Sequence, residues 1–291
     1  MIIDKNIILE RTGSRPILVD VFFRRKDNKK PVVIFCHGYK GFKDWGAWDL
    51  VAKRFSEDGY FFVKFNFSHN GGTIEQPIDF PDLEAFGQNN YSKELDDLAF
   101  VIDWITSSEH QYHDEVDVDN ITLIGHSRGG GIVTIKAEED SRVSKVVSWA
   151  GVSDYKKRFV KEEALKQWRD DGVMHVINGR TKQEMPHYYQ FFEDFIKNEE
   201  RLTIARAAKN LKIPQLIIHG TEDTSVDPNE AQDLYWWNPK SEIFWVQGAD
   251  HVFGVKHPWD KQEMSKHLDE IVTTTIRFIR NGEVSPNIFS S

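Results

Sequence analysis

Apolar-rich runs recur along this chain at near-regular intervals, at residues 32–36, 61–67, 121–124, 143–149, 215–218 and 243–246. Runs this short and this continuous predict strands covered on both faces, as in a parallel sheet. Segments with apolar residues at helical spacing lie between them. Residues 48–56 place Leu50, Val51 and Phe55 along one side, and 91–105 align Leu95, Leu98, Ile102 and Ile105. Further helices are predicted from 128 to about 139, over 229–235 and over 263–279, the last with Leu268, Ile271, Val272, Thr275 and Phe278 on one face. Two further strands, 2–9 and 17–24, open the chain around the turn 12–16, and the polar stretch 26–30 predicts a hairpin connection. Residues 68–90, rich in Gly, Pro, Asn and Asp, read as a long loop. Strand–helix alternation predicts an α/β protein with a doubly wound, mostly parallel sheet. Residues 152–210 break the rhythm: charged, aromatic and helical in pattern, with no clear strand. The expected organisation is a core of 1–151 and 211–291 carrying a helical cap insertion, 152–210.

Composition narrows the partners. The 291 residues are 40% hydrophobic and 29% charged, with a formal net charge of -9. That balance suits a globular protein and disfavours nucleic acid or an anionic membrane surface as partner. The single cysteine, Cys36, lies inside an apolar run and reads as a small core residue; no internal disulfide can form. The first residues lack a cationic start followed by an apolar stretch, and no run reaches the roughly 20 apolar residues of a membrane span. A reduced, cytoplasmic setting is the expectation.

Ligand-facing residues of a doubly wound sheet lie at the carboxyl ends of its strands. After the run 121–124 comes Gly125-His126-Ser127-Arg128-Gly129, then Gly130-Gly131. A strand that turns sharply into a helix strains its middle residue, and only small neighbours permit the turn. Ser127 is thereby a candidate nucleophile, exposed beside a helix N-terminus. A serine hydroxyl needs a base, and the base needs a carboxylate. The base candidate is His251, which follows the run 243–246; His257 is a weaker choice, and His219 suits a structural hydrogen bond. The acid candidate is Asp223, past the run 215–218, with Asp154, past 143–149, as its rival. Two backbone N–H groups could hold an oxyanion: that of Arg128, after the serine, and that of Tyr39, in the turn His37-Gly38-Tyr39-Lys40-Gly41. No His/Cys cluster has metal-ligand spacing and no dinucleotide fingerprint follows a strand, so no metal or cofactor is expected.

Taken in order, His37-Gly38-Tyr39, Gly125-His126-Ser127-Arg128-Gly129, Asp223 and His251 resemble the α/β-hydrolase superfamily, from about residue 15 to 281. Within it the chain is similar to the dienelactone-hydrolase-like and prolyl-oligopeptidase-like group, which includes bacterial feruloyl esterases; further support is the loop Asn66-Phe67-Ser68-His69-Asn70-Gly71. The resemblance implies an eight-stranded, mostly parallel sheet with its second strand antiparallel and a small helical cap. Ser68 stands where many relatives carry arginine, and Ser127 where dienelactone hydrolases proper carry cysteine.

The implied activity is that of a serine hydrolase, foremost a carboxylesterase for small or medium acyl esters. A peptidase or thioesterase on the same three residues is the alternative, and an inactive binding module the alternative from another class. The cap should set specificity. Trp149, Trp168 and Tyr155 are the expected pocket residues, with Phe191, Tyr188 and Tyr189 beside them. The Arg128 side chain could bind a substrate carboxylate or tie down a neighbouring acid. Trp236-Trp237 leaves a homodimer contact open.

Overall fold

The computed structural model describes residues 1–25 and 28–282. Eight strands form one sheet: β1 (Ile2–Leu9), β2 (Ile17–Phe23), β3 (Lys30–Cys36), β4 (Phe61–Phe65), β5 (Val116–His126), β6 (Val143–Trp149), β9 (Gln215–Gly220) and β10 (Glu242–Val246). Their order is β1-β2-β4-β3-β5-β6-β9-β10. β2 pairs antiparallel with both β1 and β4, while every pairing from β4 through β10 is parallel. β2 alone therefore runs against the rest. The expected hairpin between the second and third strands is not formed, because β4 lies between them; Lys26 and Asp27 of that connection lie outside the described residues.

The apolar runs are continuous because both faces are covered. Alternate residues of one strand serve opposite layers: Val32, Ile34 and Cys36 face one layer, Val33 and Phe35 the other. α3 (Tyr91–Thr106), α4 (Arg128–Glu139) and α9 (Asn229–Trp237) pack on the first face; α1 (Trp48–Glu57) and α10 (Lys266–Asn281) pack on the second. α3 and α10 begin with capping side chains: Asn90 accepts from the Lys93 N–H and Ser265 from the Leu268 N–H. The predicted loop 68–90 contains one short helix, α2 (Leu83–Gly87).

The insertion departs from expectation. It holds α5 (Glu162–Asp171), α6 (Gln190–Lys197), α7 (Glu199–Leu202) and α8 (Ile204–Asn210), but also an antiparallel pair, β7 (Val173–Ile177) with β8 (Glu184–Tyr188). The insertion is therefore not purely helical. The hairpin is seated on the loop before α3 by Arg180 with Asp79, Tyr188 with Glu84, and the Gln183 amide on the Phe80 carbonyl at 3.0 Å. Trp236 stands 68% exposed at the end of α9. Among the described residues, no helix is long and apolar enough to cross a membrane.

Candidate active site

Ser127 joins β5 to α4 with φ = 57° and ψ = −120°, a conformation disfavoured for any residue with a Cβ. The turn is held from three sides. The Ser127 N–H donates to the Trp149 carbonyl at 2.9 Å, and its own carbonyl accepts from the N–H groups of Gly130 and Val152. A Cβ on Gly125 would overlap the Gly129 carbonyl, and one on Gly129 would lie 2.5 Å from the Cys36 carbonyl oxygen. Both glycines of the motif are thus required by close approach. Although Ser127 occupies the N-cap position of α4, its hydroxyl caps nothing. It faces His251 instead.

His251 Nε2 lies 3.0 Å from Ser127 Oγ, and His251 Nδ1 lies 2.7 Å from Asp223 Oδ2. The other Asp223 oxygen accepts from the N–H groups of Ser225 and Val226, at 2.8 and 2.9 Å. Burial alone would raise the Asp223 carboxyl; hydrogen bonds from His219 and His251 overcome it and hold the group well below the usual carboxylate range. His219 Nε2 lies 3.2 Å from Asp223 Oδ2 and 3.0 Å from the Val226 carbonyl, two acceptors, so Nε2 carries the hydrogen. The structural role expected of His219 is to brace the acid. Asp154, the rival acid, caps a turn: its Oδ1 accepts from the Lys156 N–H at 2.7 Å. His257 Nδ1 accepts from the Gly46 N–H at 2.9 Å. Neither is joined to the serine.

A second histidine fixes the base loop. His126 Nε2 donates to the His251 carbonyl at 2.9 Å, and burial pushes its imidazole down to about 3. The loop after β3 closes on the serine from the other side: a Cβ on Gly38 would lie 2.8 Å from Ser127 Cβ. Buried His37 braces this loop, donating from Nδ1 to the Gly38 carbonyl at 2.9 Å and accepting at Nε2 from the Phe67 N–H at 3.3 Å. So the turn carrying Tyr39 and the first residue of α4, Arg128, flank the hydroxyl that His251 can deprotonate.

A model of the alpha/beta hydrolase fold matches residues 31–174. The chain is similar to an uncharacterized 31.7 kDa protein of Escherichia coli, 28% identical over 133 residues, and to the quorum-quenching protein AidA of Acinetobacter baumannii, 26% identical over 124 residues. Each match covers 43% of this chain, and the chain spans only 39% and 36% of those curated relatives. Among solved structures, Est1E from Butyrivibrio proteoclasticus with ferulic acid bound superposes over 94% of this chain and 98% of its own, with a TM-score of 0.71 at 14% identity. The chain belongs to the α/β-hydrolase superfamily. That likeness at low identity speaks to the fold alone.

In this α/β-hydrolase a cavity of about 440 Å³ opens onto Ser127 and His251. Trp168, Tyr155 and Phe191 line it. The Tyr155 hydroxyl donates to the Arg128 carbonyl at 3.0 Å, and its ring stacks on Tyr91 at 3.8 Å. Trp149 does not reach the cavity. It lies wholly buried on the α1/α10 face, against Phe35 and Trp48, and its indole N–H donates to Thr275 Oγ1 at 3.0 Å. Position 149 shares the strand face of Val147, so its side chain points into a layer and not toward the sheet edge. Tyr189 packs edge-on against Trp168, and Tyr188 reaches Glu84.

Sequence reasoning missed much of the wall. Met174, Val176 and His187 come from the hairpin, Val160 and Phe159 from the segment before α5, and Arg158, paired with Glu230, from the same stretch. Arg128 does tie down an acid: its Nη1 lies 3.3 Å from buried Glu94 Oε1. Burial still pushes the Glu94 carboxyl up against that pull. The guanidinium also sits 4.4 Å from the ring centroid of Tyr39 and 5.3 Å from that of Tyr91.

Proposed function

We propose that this protein is a serine carboxylesterase acting on small or medium acyl esters, with Ser127 as nucleophile, His251 as general base and Asp223 as its orienting acid. The observation that carries this reading is the unbroken path from Asp223 through His251 to Ser127 Oγ, at 2.7 and 3.0 Å, opening into the aromatic cavity. His251 Nε2 takes the Ser127 proton as Oγ bonds to the acyl carbon. The Nδ1–H stays on His251 and donates to the Asp223 carboxylate, which remains ionised and stabilises the imidazolium. The N–H groups of Tyr39 and Arg128 hold the oxyanion, each worth about 3 kcal/mol in such sites. The imidazolium then protonates the departing alkoxide and leaves an acyl group on Ser127. Water, deprotonated by His251, attacks that acyl carbon, and the acid is released as the proton returns to Ser127.

The cavity suits a small ester, because the insertion lines it with the apolar side chains of Trp168, Met174 and Val176. Est1E holds ferulic acid, an aromatic acid whose size is compatible with such a space. An inactive binding module would have no need of a strained serine aligned with a carboxylate-held histidine.

Fluorophosphonate labelling and p-nitrophenyl ester turnover test the proposal. The wild type should label and hydrolyse short esters, and Ser127→Ala should do neither. A folded wild type that neither labels nor turns over esters would overturn it.

A further inference from the structure

Outside the triad, the loop after β3 is gripped by the hairpin of the insertion at two points. Tyr39 Oη lies 2.7 Å from His187 Nε2 on β8, and Lys40 Nζ lies 3.3 Å from the carbonyl oxygen of Ile177, the last residue of β7. The Tyr39 ring is also in contact with two cations, its centroid 4.4 Å from the Arg128 guanidinium and 4.9 Å from Lys40 Nζ. Tyr39 is therefore held by its side chain from the insertion and from the residue after the nucleophile, while Gly38, just before it, packs closely on Ser127.

His187 is itself fixed. Its carbonyl accepts from the Trp168 indole N–H at 2.7 Å, and its ring lies against Phe86 and Phe191, with centroids 5.4 and 5.9 Å away. Burial, reinforced by Arg128 and Lys40, pushes its imidazole down to about 3. A neutral ring can accept the Tyr39 hydroxyl at Nε2. The hairpin that carries His187 also walls the cavity with Met174 and Val176. A single two-stranded unit thus faces the space an acyl group would fill and, one hydrogen bond away, holds the residue whose N–H would meet the oxyanion.

We propose that His187 is a positioning residue, acting through the Tyr39 hydroxyl to set the loop after β3 against Ser127 when an acyl group fills the space beneath the hairpin. This rests on the esterase reading above. Oxyanion donors work only when closely placed, and binding energy realised in the transition state raises kcat, not merely affinity. Acyl groups long enough to reach Met174 and Val176 should therefore gain in kcat.

The test is steady-state hydrolysis of p-nitrophenyl acetate and hexanoate, normalised to sites titrated with fluorophosphonate, by the wild type, Tyr39→Phe, His187→Phe, the double variant and His187→Gln. For hexanoate, kcat should fall about tenfold in each single phenylalanine variant, with KM moving less than about twofold, and acetate kcat should fall by a clearly smaller factor. The double variant should be no slower than either single one, since both cut the same bond. His187→Gln, whose amide oxygen can accept the Tyr39 hydroxyl, should keep most of the wild-type kcat. If His187→Phe does not fold, Tyr39→Phe, which loses only one oxygen atom, carries the test. Equal losses on both esters, a change confined to KM, or multiplying losses in the double variant would overturn the coupling. A labelled, active wild type with unaffected variants removes the coupling alone. A folded wild type that neither labels nor turns over removes the esterase reading and the coupling with it.

Discussion

The path from Asp223 to Ser127 makes opposite demands on two aspartates. Asp223 reaches His251 with one oxygen and is saturated by two backbone N–H groups on the other. Asp154 spends its oxygen on the turn that follows it. Asp223→Asn should keep the shape while favouring the wrong His251 tautomer, lowering kcat by about 10⁴-fold, the scale seen for the same change in a serine protease. Asp154→Asn should leave kcat within about twofold. Ester turnover of both variants checks this, and the reverse ranking would move the acid to the earlier strand. Ser127, His251 and Asp223 were legible because each stands just past an apolar run, where glycines permit a turn. Trp149 lies away from the cavity because the strand's two-residue period turns its side chain into a layer. Arg158 and His187 gave no comparable signal: their place depends on how the insertion folds back.

At the level of elements, β1, β2, β4, α1 and the loop after β3 are stapled by a buried charge network. Asp20 on β2 receives Lys64 of β4 at 2.7 Å and Lys43 of the loop at 2.8 Å, and Lys64 also meets Asp44 and Asp49. Lys5 of β1 joins Asp44 and Asp49. Asp20, Asp44 and Asp49 could converge on a metal ion, but the ammonium groups of Lys5, Lys43 and Lys64 already balance their charge. Removing one partner strands the others in a dry site. Lys64→Met should therefore cost about 3–5 kcal/mol, read from the urea midpoint, and a loss below about 0.5 kcal/mol would show that the network is not stabilising. No single residue of this network could be picked out from the sequence, because its six charges come from five separate segments. The main strands and helices were readable, since period and continuity are local. The β7–β8 pair was not read, although Asn178-Gly179 after the run 173–177 is a hairpin signal. The charged helical segments on either side masked it, and β7 lacks a strongly buried face to enforce alternation.

For the whole molecule, the strand number and the antiparallel second strand followed from the resemblance and not from periodicity, and the strand order was not legible at all, because pairing joins residues far apart in the chain. The folded structure also buries histidines that the unfolded chain would charge, which fixes the direction of its pH response. Burial pushes His37 down to about 4 and His126 and His187 down to about 3. An unfolded histidine titrates near 6.5, so from there down to about pH 4 the unfolded chain takes up protons that the folded one refuses. Stability must then rise with pH across this window and level off above it. Asp97 works the other way, since burial lifts its carboxyl to about 6 and the folded state binds that proton first; Glu94 is pushed in the same direction. Asp223, held low, contributes stability that is lost only at pH values below this window. His69 is likewise pushed down to about 4 by burial, so the lowered histidines outnumber the two raised carboxyls and the unfolded chain holds more protons than the folded one near pH 5. Urea midpoints at pH 5, 6 and 7 should fall steadily toward acid. His126→Gln, whose amide N–H can still donate to the His251 carbonyl, should flatten that fall by about one proton's share. Midpoints that stay level from pH 7 to 5 would mean these imidazoles accept protons in the folded state, through openings of the layers that bury them.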